Sequence, residues 1–596
     1  MKRLIATVLF AVGLSPSYLQ GQTLAPDLIS SVNGLLGPVR VIVQFNRAPG
    51  IFDLLQVLGV GGKVVANLTT INGLVVEVPA VAVPVLSLLP GVFYVSPDRN
   101  VRSLIDNSTA AVNAAAAWQT GHGGAGIAIA IVDSGVSPHR DLSSPNGASR
   151  IVYSEDFTGG GTADLFGHGT HVAGIAAGNG ANSACPACTR HLQGMAPDAN
   201  IVNLRVLDAN GAGKDSWVIQ AIDRAIQLRS KYNIRVLNLS LGHPVVESYL
   251  RDPVCREVEA AWRAGIAVVV AAGNDGRDDS AATSGYATIN SPANDPYVIT
   301  VGAMKSLDTP GRDDDRIASY SAKGPTAIDH IVKPDLVAPG NLVVSLRAGD
   351  DELAAEFPQN AVPLSYYQMT SSTASSPYYF VMSGTSMATP VVSGAIADLL
   401  SASPRLTPDQ VKAKLMKTAY KTFPQVSVAV DPQTGASYTS QYDVFTVGAG
   451  YLDLAAALAD NSKFTGSALS PVAHRDLLFG NVSLSFDLLS GWNLSGWSQK
   501  SVFGNAAFGG NSAVLSGSSA VWGNKAMPGF TAVWDSRSPW DDSSTAGTRS
   551  SWGTNGLWGT RTSWGTNGLF GTRTSWGTTG EAASRSSWGT GGVGEP

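Results

Sequence analysis

The sequence predicts an α/β protein: a three-layer parallel sheet with helices on both faces, preceded by a small α+β module and followed by a Gly/Trp repeat segment. Three observations carry this. Continuous apolar runs at 127–132, 201–206, 235–239, 266–272 and 297–302 alternate with helical stretches at 168–178, 216–230 and 246–264. Strands without polar alternation, separated by helices, belong to a parallel sheet covered on both sides. Residues 38–102 hold a shorter pattern of their own, and after about Asn461 the chain turns rich in Gly, Ser, Thr, Asn and Trp.

The N-terminal pattern reads strand (Val39–Phe45), helix (Leu54–Val60), two strands (Lys63–Asn67, Gly73–Val78), helix (Val81–Leu89), strand (Val92–Val95). The order β-α-β-β-α-β fits a ferredoxin-like module. Ahead of it, Met1-Lys2-Arg3 and the apolar run Leu4–Leu14 read as a secretory signal over 1–21, too short to span a bilayer. No later run reaches membrane length, so the expectation is a secreted protein without a transmembrane segment. The 596 residues carry 40 basic and 45 acidic side chains, a net charge of −5, with no basic block. Nucleic acid is therefore excluded as an expected partner. Of three cysteines, Cys185 and Cys188 lie in a Gly/Asn/Ser-rich loop and read as a structural disulfide rather than a redox pair. Cys255 reads as a small buried residue on a helix.

Asp133 ends the first core strand, in Ile-Val-Asp-Ser-Gly-Val. His168 opens His-Gly-Thr-His-Val-Ala-Gly at the head of a small-residue helix, and His171 reads as structural. Ser386 stands in Met-Ser-Gly-Thr-Ser-Met-Ala-Thr-Pro at the start of a helix running to about 403, with Pro390 expected in its first turn. A serine hydroxyl is a poor nucleophile unless a base takes its proton, and the base needs an anion to hold its ring. A helix start adds free N–H groups and a positive dipole end for a developing oxyanion. Asn274, after the apolar run 268–272 and Gly273, can donate to that oxyanion from the other side.

These segments together resemble the subtilisin-like serine peptidases. The resemblance runs from about Ala111 to Leu458. It includes Gly194-Met195-Ala196-Pro197, Asn238-Leu239-Ser240-Leu241-Gly242, Ser291-Pro292-Ala293 and Lys333-Pro334-Asp335-Leu336-Val337-Ala338-Pro339-Gly340. It implies a subtilisin-like peptidase domain over 111–460. Asp133 would orient the base, His168 would be general base and acid, Ser386 the nucleophile and Asn274 the oxyanion donor. Ser240, Leu241 and Gly242 would bind substrate backbone as an added strand. Protein or peptide substrates are implied, and no cofactor is needed for the chemistry. The module at 38–102 resembles the family's inhibitory propeptide, making the protein a self-processed zymogen cleaved within 100–115. A structural calcium like that of proteinase-K-like members is implied at the carbonyls of Pro296 and Val298 with Asp335. Asp141 resembles one ligand of the family's common calcium site, but the loop that should complete it is replaced by Gly178–Gln193. Residues 345–380 and 421–447 are insertions.

An esterase or lipase of the α/β-hydrolase type is excluded by residue order, since it needs Ser, Asp, His, and by Ala388 in place of the second Gly of Gly-x-Ser-x-Gly. The tail, 461–596, repeats every twelve residues over 534–592: Trp540, Trp552, Trp564, Trp576 and Trp588, each with an Arg three residues before it. Such self-similarity fits a stacked β array. Its aromatics and arginines point to cell-surface, glycan or self-association contacts, while the plainer reading is a tail that orders little. The rival to a working enzyme is a catalytically inert scaffold that adheres through these repeats.

Overall fold

The computed structural model describes residues 37–68, 72–97, 107–280, 282–431, 435–475, 482–485 and 491–494, with positions 24 and 28 and short strands at 514–516, 519–522, 549–550 and 561–562. The expected signal segment and all five period-marking tryptophans lie outside these residues. Within the tail, Arg549–Ser550 pairs in parallel with Arg561–Thr562, an offset of one repeat. The chain divides into two units, Met1–Ser103 and Leu104–Pro596.

In the first unit, β1 (Pro38–Phe45), α1 (Ile51–Gly59), β2 (Lys63–Leu68), β3 (Gly73–Pro79), α2 (Val83–Leu86) and β4 (Val92–Pro97) follow in order. The strands form an antiparallel sheet ordered β2-β3-β1-β4. Alternating burial along β1 puts Val41, Val43 and Phe45 into a core with Val57, Val76, Val83 and Val95. The second helix is shorter than its apolar pattern promised. Residues 80–82 form a tighter 3₁₀ turn before it, and Ser87 closes it.

In the second unit, β5 (Ala128–Asp133), β6 (Ile151–Asp156), β7 (Asn200–Arg205), β8 (Ile234–Leu239), β9 (Ala267–Ala271), β10 (Ile299–Lys305), β11 (Arg316–Ile317) and β12 (Leu336–Pro339) build one eight-stranded sheet. Its order is β11-β10-β9-β8-β5-β7-β6, with β12 also on β10, and only β11 runs antiparallel. Every residue of β5, β9 and β10 is buried. Since successive side chains face opposite ways, both faces of the sheet are covered. Helices α3 (His168–Ala177) and α6 (Thr385–Ala402) pack on each other, and α6 runs along β8, β9 and β10. Helices α4 (Asp215–Tyr232) and α5 (Pro253–Arg263) form another packed pair, against β5, β8 and β9. A further helix, α7 (Pro408–Thr418), follows α6 and starts on a Thr407/Gln410 capping box.

Three differences from the sequence reading have plain causes. Strand β6 went unread because it is a half-buried edge strand, Ile-Val-Tyr-Ser-Glu-Asp, without an apolar run. Helix α5 begins at 253, not 246, because the Asp252 carboxylate caps Val254 N and Cys255 N and Pro253 takes the first helical position. The third concerns the tail boundary at 460. Residues 464–473 bond back onto the α/β body that precedes them, through Ala468 N to Asp409 Oδ1 (2.7 Å), Val332 N to Pro471 O (2.8 Å) and Ala473 N to His330 O (2.8 Å). Cys185 and Cys188 form a disulfide, and Cys255 is free and buried on α5. The two insertions fold as small sheets: residues 361–363 and 375–382 with Val343–Leu346, and a hairpin of Val426–Val430 with Ser437–Gln441.

Candidate active site

Strand β5 delivers Asp133 at its carboxyl end, the expected place for function in an open parallel sheet. Its Oδ1 lies 2.7 Å from His168 Nδ1, and both side chains are fully buried. A carboxylate on Nδ1 selects the tautomer protonated there, so Nε2 keeps its lone pair. The backbone N–H of Ser134 also donates to Asp133 Oδ1, at 2.7 Å.

His168 is the first residue of α3. The helix start is held by Asp164, a residue the sequence reading passed over. Asp164 Oδ1 accepts from Gly167 N and Oδ2 from Thr170 N, each at 2.7 Å. Asp164 Oδ1 also accepts the Ser134 hydroxyl (2.8 Å), while Ser134 Oγ accepts Gly169 N (2.9 Å). Asp164 and Ser134 thus brace the strand end that carries Asp133 against the helix start that carries His168. The signal, if any, was a lone carboxylate in the loop just before the histidine. Gly167 between them takes φ 103°, and an added Cβ would come 2.3 Å from Asp351 Oδ1, so only glycine fits.

Burial pushes the Asp351 carboxyl up to about 7, with Asp164 as an added repulsive neighbour. Burial, reinforced by His168, lowers His171 to about 3, and its Nε2 meets Phe380 O at 3.1 Å. His171 is therefore a neutral structural histidine, as its position in the motif suggested.

Ser386 is the second residue of α6, after Gly384 and Thr385. Pro390 consequently falls in the second turn, not the first. Its missing N–H would have bonded the Ser386 carbonyl. That carbonyl instead accepts the Ser240 hydroxyl at 2.8 Å, and the Ser386 hydroxyl donates to Ser240 O at 3.0 Å. Asn238 Nδ2 in turn donates to Ser240 Oγ (2.9 Å), and Ser393 Oγ to Asn238 Oδ1 (2.8 Å). Asn274, just past β9, accepts Thr385 N (2.9 Å) and Thr385 Oγ1 (3.0 Å) on its Oδ1. Its amide oxygen is thereby fixed beside the residue preceding Ser386, which turns the amide nitrogen the other way.

Ser240, Leu241 and Gly242 extend β8 past its last paired residue, and His243 then pairs with Ser291. Asn290 sits between two glycines of this region: a Cβ on Gly273 would come 2.4 Å from its Nδ2, and one on Gly242 3.3 Å from its Cβ. Asn290 is 1% exposed, and neither amide atom has a partner among the described residues.

The Subtilase family pattern matches residues 124–450. The chain belongs to the subtilase family. The serine protease AprX of Bacillus subtilis (strain 168) is 38% identical over 328 residues, 53% of this subtilase and 67% of the relative. Subtilisin E of the same strain is 32% identical over 364 residues, 60% and 78% of the two chains. An extracellular serine proteinase of Thermus sp. (strain Rt41A) is 33% identical over 377 residues, 61% and 75%. This subtilase is accordingly a serine endopeptidase, with protein substrates. No helix among its described residues is long and apolar enough to cross a membrane.

The calcium expectation is tested by the donors themselves. Pro296 O, Val298 O and Asp335 do converge, but around the Lys412 ammonium, at 2.8, 3.0 and 3.2 Å. The residues present do not fit a calcium ion. Asp141 is likewise occupied, by Asn182 N (2.8 Å) on Oδ1 and the Tyr379 hydroxyl (2.7 Å) on Oδ2. Among the described residues no cluster of three or more His, Cys, Asp or Glu could hold a metal.

Proposed function

We propose that this subtilase is an extracellular endopeptidase made as a self-processed proprotein, working through Asp133, His168 and Ser386 with Asn274 as oxyanion donor. The observation that carries this reading is the buried 2.7 Å contact between Asp133 and His168 Nδ1, on a helix packed against the helix that presents Ser386. Ser386 Oγ gives its proton to His168 Nε2 and attacks the peptide carbonyl. The carbonyl oxygen becomes an anion facing the Ser386 end of α6 and the Asn274 amide. His168 returns the proton to the leaving amine, and water releases the acyl-enzyme by the same steps. Asp133 stabilises the imidazolium throughout. Substrate backbone adds beside Ser240, Leu241 and Gly242.

The module at 38–102 takes the part of the propeptide. The extracellular setting is supported by the charged-then-apolar start of the chain and by the name of the Thermus relative. An inert adhesive scaffold is not favoured, because the residues that the chemistry needs are all present and buried in contact with ordered partners.

The test is mass spectrometry of secreted wild-type and Ser386→Ala protein, with casein hydrolysis alongside. The wild type should start after the first unit. Ser386→Ala should retain that unit and lose about 10⁶-fold in turnover. Undiminished cleavage of casein by the variant would sink the assignment.

A further inference from the structure

Two lysines of the catalytic unit are fully buried, Lys333 and Lys412, and one carboxylate lies between them. Lys412 comes from α7 and donates to Pro296 O (2.8 Å), Tyr297 O (3.1 Å), Val298 O (3.0 Å) and Ser470 Oγ (2.9 Å). Lys333 donates to Val298 O (2.9 Å) and Asp335 Oδ2 (2.7 Å). Asp335 is saturated: Oδ1 also accepts Ser470 Oγ (2.5 Å), and Oδ2 also accepts Thr300 N (2.8 Å). Carbonyls converging with a carboxylate form a nest for a hard cation, and calcium would take six to eight oxygens at about 2.3–2.6 Å. Here each of those oxygens already holds an ammonium proton.

Around Asp141, too, buried oxygens are taken by protein donors. The buried Arg150 guanidinium donates to Asp141 O (2.7 Å), Ala177 O (2.6 Å) and Ala199 O (2.6 Å), and the inserted strand 375–382 supplies Tyr379 to the Asp141 carboxylate.

We propose that the Lys412 ammonium, seconded by Lys333, is the resident cation of the Pro296/Val298/Asp335 cradle, so that this subtilase holds the cradle closed without calcium. The charges support it. A divalent ion placed there would meet two ammoniums sharing the Asp335 carboxylate, and the one further acid acting on them, Asp295, is itself pushed up to about 7 by burial. Ser470 is part of the device: it lies beyond the family match and seals the cradle with its hydroxyl and with its N–H on Pro296 O (2.9 Å). The segment past 460 is thus a structural lid on the lysine nest.

The test uses the full chain in its Ser386→Ala form, to prevent self-digestion, with and without a second change, Lys412→Ala. Unfolding temperature is recorded in EDTA and in millimolar CaCl2. In the parent the cradle should give no response of its own. In Lys412→Ala the vacated oxygens should admit calcium, making its calcium-dependent rise larger than the parent's by about 5 °C. Equal rises, or a larger one in the parent, overturn the proposal. If Lys412→Ala does not fold, amine acetylation of the native parent decides. Lys412 should label at least about tenfold more slowly than in the unfolded chain, whether calcium is present or not. Labelling of Lys412 that calcium accelerates would show the ion displacing the lysine, and would also overturn it.

Discussion

Asp133 and Asp335 are both carboxylates buried to 1% exposure or less, and both face a buried nitrogen base, yet they are built oppositely. Asp335 has two donors on each oxygen, two of the four being ammoniums. Burial alone would raise its carboxyl, but Lys333 and Lys412 more than offset that and hold it low. Asp133 has both its donors, Ser134 N and His168, on Oδ1, and Oδ2 has none among the described residues. A saturated carboxylate is a structural rivet. In the proposed mechanism, an under-satisfied one keeps attraction in reserve for a ring that becomes charged during turnover. The difference lies in what surrounds each acid, not in its depth.

Substitutions at each acid test the contrast. Asp133→Asn should preserve folding and lower kcat by about 10⁴, since an amide cannot hold the imidazolium or select its tautomer. Unchanged kcat with a normal melting curve would remove Asp133 from the chemistry. Asn274→Ala should cost about 10²–10³ in kcat with KM nearly unmoved, the loss general to oxyanion donors. A change confined to KM would make Asn274 a mere brace for Thr385.

Asp335→Ala should do the reverse of Asp133→Asn. Two buried ammoniums left with only the half-protonated Asp295 nearby should lower unfolding free energy by about 3–5 kcal/mol in urea titrations, while folded molecules keep their kcat. Loss of kcat at full stability would erase the distinction between the two acids.

The smallest effect is expected at Asp351, beside Gly167. Its carboxyl is raised to about 7 from 3.8, so between those values the folded state holds a proton that the unfolded state releases. Stability contributed by this group therefore falls as pH rises from about 4 to about 7 and is level on either side. Asp351→Asn keeps an acceptor for Ala354 N and removes the slope. Relative to wild type it should gain of the order of 1–4 kcal/mol at pH 8 over pH 4, read from urea midpoints. Parallel pH profiles would place the raised group elsewhere.

Much of this was legible in the chain. Strands β5 and β7 to β10 announced themselves because strands buried on both faces must be apolar throughout. The Cys185–Cys188 loop could be read from its spacing and its setting. The lysine nest could not. Lys412 lies in Pro-Asp-Gln-Val-Lys-Ala-Lys-Leu-Met-Lys-Thr, where any lysine reads as a solvated face, and its carbonyl acceptors lie more than a hundred residues upstream. Carbonyl acceptors carry no residue type at all, so a cation site and the ammonium that replaces it look alike in sequence. The Ser134–Asp164 brace was missed for a related reason: it joins two loops whose meeting is fixed only by the fold.

Pro390 has one last effect. By withholding an N–H it lets residue 240 grip Ser386 twice, once at its carbonyl and once at its hydroxyl. In the proposed mechanism, when a substrate draws the hydroxyl away, the grip at the carbonyl persists. On that proposal the serine swivels about its own side-chain bond while its main chain stays moored to the extension of β8, so attacker and target would share a single frame.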